Sequence, residues 1–136
     1  MAYMQWSEAL SIGIEELDRE HERLVDLLNE AYAVIERGAS TEAGLSLLDG
    51  MAAYAATHFA TEERLMEAFE HPGREVHRRQ HEFFLIKVRT KRAALSADAG
   101  APWREDLFRF LSDWLAAHIL GEDRLLGDYL RGRGMR

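Results

Sequence analysis

The stretch from Tyr54 to Met66 places a histidine and a glutamate where a packed helix should present only apolar groups. Through it runs a stripe of Leu48, Met51, Ala55, His58, Glu62, Leu65 and Phe69, stepping by threes and fours, which is the pattern of a core-facing helix seam. Residues four apart on a helix differ by about 40° in direction and about 6 Å in height, so His58 and Glu62 point inward side by side. An imidazole and a carboxylate buried without partners each cost several kcal/mol. A chain carrying this seam needs something in its interior to hold both.

The same anomaly recurs along the chain. Leu17, His21, Leu24, Leu28, Ala31 and Ile35 form one seam, His77, His81, Phe84 and Val88 a second, and Leu107, Leu111, Trp114 and His118 a third. Helix signals frame them: an acidic first turn after Gly13, Ser40 or Thr41 as a cap, and Pro102 suited to a first helical position. His71-Pro72-Gly73 supplies a break, because a residue before proline is pushed out of helical geometry. Four helices are expected, at about 15–37, 41–70, 74–95 and 102–120, with residues 1–13 as an arm across the bundle and a short last turn after the fourth helix. The fold class is all-α, an up-down-up-down four-helix bundle.

With 136 residues and 47% of them hydrophobic, the chain suits one domain, 1–136, around one core. A net charge of -7 argues against nucleic acid and anionic membranes, which both need clustered Lys and Arg. The basic residues of the third helix, Arg78, Arg79, Lys87, Arg89, Lys91 and Arg92, are assigned to a solvated outer face. No cysteine is present, which removes disulfides and thiolate chemistry. No segment is long and apolar enough to span a bilayer or serve as an export signal, so no membrane insertion and a cytoplasmic location are expected.

Five of the six histidines, His21, His58, His77, His81 and His118, therefore share the interior of four helices with Glu62, and with Asp123 if its helix allows. Asp123 lies five residues beyond His118, about 140° away on a regular helix, so the helix must bend or end near Gly121 for both to face one point. His71 falls outside every seam and receives no role. Packed imidazoles repel one another when protonated and leave lone pairs unsatisfied when neutral; a metal centre removes both difficulties. Two six-coordinate ions offer twelve positions, of which five imidazoles and two bridging carboxylates fill nine, a bridging oxygen two more, and one stays open. An octahedral set mixing nitrogen with carboxylate suits iron better than zinc or calcium.

The motifs Trp6 with Gly13-Ile14 and Asp18-x-x-His21, His58-Phe59-x-x-Glu62-Glu63-x-x-Met66, His77-x-x-x-His81, and Trp114-Leu115-x-x-His118-Ile119-x-x-x-Asp123 span nearly the whole chain. In this order they resemble the hemerythrin family, most closely the single-domain bacteriohemerythrins. The resemblance implies two iron ions with a bridging oxo or hydroxo group and reversible binding of dioxygen, for storage, transport or delivery, rather than an enzyme. Carried onto this sequence, it puts His77, His81 and His118 on a saturated iron, His21 and His58 on the open one, and Glu62 and Asp123 across the pair. Two positions depart from the family pattern: Glu20 where glutamine is common, and His71 where an aromatic residue is common. Leu24, Leu28, Phe59, Phe84, Trp114, Leu115 and Ile119 lie within a turn of a ligand and are candidates for a dry oxygen pocket. Competing uses of such a site are a di-iron oxidase or peroxidase, an oxygen or redox sensor, and nitric oxide or iron handling.

Overall fold

The computed structural model describes residues 4–38, 40–97 and 104–136. Four long helices, α1 (Glu15–Glu36), α2 (Thr41–Ala68), α3 (Arg74–Ala97) and α4 (Arg104–His118), are followed by a π-helical turn (Ile119–Asp123) and α5 (Arg124–Gly132). α1 and α3 each pack against both α2 and α4, closing an up-down-up-down four-helix bundle. Pro102 and most of the expected loop 96–101 lie outside the described residues. Among the described residues, no helix is long and apolar enough to cross a membrane.

The boundaries have local causes. Ser40 caps α2, its hydroxyl accepting from the Ala43 N–H at 3.2 Å. α2 stops at Ala68, two residues short of the sequence expectation, because Glu70 takes a left-handed backbone (φ 51°) and the His71 N–H returns to the Met66 carbonyl at 2.8 Å. α3 continues to Ala97, two residues past its expected end. α1 has no side-chain cap at Ile14; instead the Asp18 carboxylate reaches back to accept the Ile12 N–H at 2.8 Å and the Ser11 hydroxyl.

The expected stop near Gly121 is not what the structure shows: the helical chain runs on past it. The backbone widens into i→i+5 bonding over Ile119–Asp123 and then resumes as α5. That one extra residue brings positions five apart nearly into line, so His118 and Asp123 face the same point.

Two apolar clusters fill the interior. The larger includes Leu24, Leu28, Met51, Phe59, Phe84 and Leu115; the smaller joins Ile12, Ile14 and Leu17 to Leu65, Leu126 and Leu130. The seam histidines and acids lie between them: His21 separates Leu17 from Leu24, Glu62 separates Phe59 from Leu65, and Asp123 separates Ile119 from Leu126. The arm seals the smaller cluster. Gly127 permits this contact, since a Cβ there would stand 2.5 Å from the Ile12 carbonyl oxygen, and Arg124 donates to the Ala9 carbonyl at 2.6 Å.

Candidate metal centre

Each helix delivers its polar seam residues into this layer, and every one is buried: His21, His58, Glu62, His77 and Asp123 at 0% exposure, His81 at 2% and His118 at 3%. Their donor atoms form two overlapping groups, each within 4.8 Å across. One contains His77, His81 and His118, the other His21 and His58, and both contain Glu62 and Asp123. All seven expected donors are thus brought together. His71, given no role, is buried as well, but it packs against Tyr129, with ring centroids 5.0 Å apart, and joins neither group.

The donor atoms lie within hydrogen-bonding distance of one another but are not aligned for hydrogen bonds. Asp123 has one oxygen 2.8 Å from His21 Nε2, and its other oxygen 2.8 Å from His77 Nε2 and 2.9 Å from His118 Nε2. Glu62 Oε1 lies 2.8 Å from His58 Nε2 and 3.3 Å from His81 Nε2. Yet the five Nε2 atoms and four carboxylate oxygens all lack an aligned hydrogen-bond partner. Buried polar atoms are almost always satisfied, so a group of nine that aim at shared points instead of at one another fits the donor set of a metal pair.

The outer nitrogens explain how the rings are aimed. His58 Nδ1–H donates to Glu20 at 2.6 Å, His81 Nδ1–H to Glu63 at 2.9 Å, and His118 Nδ1–H to Gln80 at 3.0 Å. Each bond fixes the tautomer and turns the Nε2 lone pair inward. The arrangement is a relay: Glu20 on α1 holds a histidine of α2, Glu63 on α2 one of α3, and Gln80 on α3 one of α4. Thr61 steadies Glu20 by donating to its second oxygen at 3.0 Å. His21 and His77 receive no such partner among the described residues, their Nδ1 atoms being unpaired. Sequence reasoning marked Glu20 but gave Glu63 and Gln80 no role. The available signal was adjacency: all three stand beside a seam residue, and so at the groove facing the next helix.

Charge follows from this crowding. Burial pushes the His77 imidazolium down, but Asp123 and Glu62 outweigh it and lift its pKa to about 10. Burial opposes the charged forms of His58 and His118 as well, and the same carboxylates raise both. Burial raises Glu62 and Asp123, yet the surrounding histidines hold each below the usual carboxylate range. Without an ion the layer therefore holds protons where an ion would supply positive charge.

Rings pack the layer from the side of the larger cluster. Phe59 stacks on His81 (3.9 Å, 6°) and Trp114 on His118 (4.3 Å, 15°). A narrow cavity there leaves about 10 Å³ for a water-sized sphere, and Leu24, Phe59, Phe84, Trp114 and Leu115 line it. Met51, Ala55 and Leu111 complete the wall. Of the expected pocket residues, Leu28 and Ile119 belong to the same cluster without lining the cavity.

The family model described as the hemerythrin HHE cation binding domain matches residues 12–130. A bacteriohemerythrin of Stenotrophomonas maltophilia (strain R551-3) is 34% identical over 131 residues, covering 96% of this chain and 84% of that protein. A bacteriohemerythrin of Ralstonia nicotianae (strain ATCC BAA-1114 / GMI1000) is 35% identical over 134 residues, covering 98% and 93%. The crystal structure of a wild-type hemerythrin, 25% identical, superposes with a TM-score of 0.85 over 95% of this chain and 98% of that one. With the seam motifs, the bundle and the buried donor layer in agreement with these matches, the chain belongs to the hemerythrin family.

Proposed function

We propose that this protein binds dioxygen reversibly at a non-haem pair of iron ions, for storage, transport or delivery. The observation that carries the reading is the double donor set: two overlapping groups of unsatisfied buried atoms that share both carboxylates. His77, His81 and His118 would hold one ion, His21 and His58 the other, with Glu62 and Asp123 spanning them. When bound, two ferrous ions supply the two electrons on which reversible dioxygen binding draws.

The chain's own contribution is positional and dielectric. Glu20, Glu63 and Gln80 accept the outer Nδ1–H of three imidazoles and so hold each Nε2 toward the layer, where an arriving ion would displace its proton. The group with fewer histidines offers four protein donors against five in the other, so an exogenous ligand is expected at that poorer ion. The apolar cavity next to the layer keeps water away, which protects a bound gas from displacement. Its eight lining side chains provide no acid or base, which favours a carrier over an oxidase or peroxidase.

An anaerobic dioxygen titration followed optically, with a metal count on the same sample, tests the proposal. Two irons per chain and a visible band that disappears on degassing are expected. A single zinc with no band, or steady consumption of peroxide with a reducing substrate, would overturn it.

A further inference from the structure

Resting on that reading of the site, we propose that the gas enters between α1 and α2 and that the side chain of Met51 is the gate. Outside this residue lies a surface groove of about 350 Å³, bordered by Leu27, Leu47, Gly50 and Met51. Inside it lies the narrow apolar cavity, whose wall includes Leu24, Ala55, Leu115 and again Met51. Met51 is therefore common to both spaces, and only 4% of it is exposed. Three wall residues stand one helical turn from donors of the metal layer: Leu24 follows His21 by three residues, and Ala55 and Leu115 precede His58 and His118 by three.

The chemistry of the wall suits a gate. Methionine is unbranched with three rotatable bonds, so it can swing at little cost in strain. A Cβ built on neighbouring Gly50 would meet nothing within 4 Å, so the groove stays open beside it. The inner space is narrow and walled by apolar side chains that offer no polar group to retain water, so its neighbours must yield for a small apolar guest to enter.

Another groove among the described residues touches the same cavity, through Trp114 between α3 and α4. It is the poorer door. Trp114 is pinned by stacking on His118 and by Phe84, whose ring centroid is 4.4 Å away. The mouth is crossed by the Lys91–Asp106 ion pair at 2.7 Å, and the Lys91 ammonium also sits over Phe110.

Two measurements decide the matter. In the iron-loaded protein, Ser46→Phe, at an exposed groove position, should slow dioxygen association and dissociation by the same factor, about tenfold, as expected for a raised barrier, leaving equilibrium affinity unchanged. Met51→Ala should speed both. Unaltered rates in both variants, or slowing by Lys87→Phe in the other groove instead, would overturn the route. Xenon-pressurised crystals of the protein as purified judge it independently of oxygen binding. Xenon on both sides of Met51 supports the gate, and xenon confined to the surface groove overturns it, even where absence of a reversible band has already removed the functional reading.

Discussion

The two halves of the metal layer are built to different standards. The half with His77, His81 and His118 has two of its three rings fixed from behind, by Glu63 and Gln80, and two pressed under aromatic faces. The half with His21 and His58 has one ring fixed, by Glu20, while His21 relies on packing alone. The relay of outer partners runs from α1 to α4 and is not closed back onto α1. On the proposed reading, the better-fixed half would hold its ion more firmly than the other.

The most severe test of this difference abolishes it. Asp123 touches donors of both halves, so Asp123→Ala should lower the iron content from two per chain to below one and remove the stabilisation that bound metal gives, seen as a lower melting temperature. A ratio that stays at two would show that the halves load independently of it. Next, His21→Ala should leave one ion in the richer half, whereas His77→Ala should weaken both the count and the optical signature; equal losses would contradict the asymmetry. Glu20→Ala should weaken metal binding by about 10-fold to 100-fold, the usual scale for an outer partner of a ligating histidine, with Glu20→Gln recovering most of it through its amide oxygen. Leu115→Ala, which widens the apolar wall, should speed conversion of the oxygen-binding form to an inactive oxidised one; a rate equal to that of the parent would remove Leu115 from the pocket.

A smaller effect concerns the protons that stand in for metal. His77 has a folded pKa of about 10, above its ordinary 6.5, so in the metal-free chain its contribution is fully present below about 6.5 and is lost as pH rises through about 10. Melting temperature of the metal-free protein should fall across that window, while the loaded protein changes little. Ion uptake should correspondingly release protons into a weakly buffered solution.

Much of this layer was visible in the sequence because helix periodicity converts spacing into direction. His21, His58, His77, His81 and His118 each interrupt an apolar stripe, and an interruption on all four helices has few explanations. The spacing of His118 and Asp123 also announced an irregularity, but not its form, since a break, a kink and a widened turn all satisfy five residues. The outer partners were less legible: which helix Gln80 or Glu63 serves depends on how the helices are rotated about one another. The same holds for Met51 and Leu111, ordinary seam residues until the neighbouring helices leave a gap beside them. The end of α2 depended on one unusual residue, Glu70, whose left-handed backbone no pattern announces.

The widened turn after His118 has a consequence beyond aiming Asp123. Everything downstream inherits its phase, so removing a single residue there would rotate α5 by about 100° and carry Leu126 and Leu130 out from beneath the arm. A length change at this turn would therefore displace the Asp123 carboxylate and the packing of the arm together.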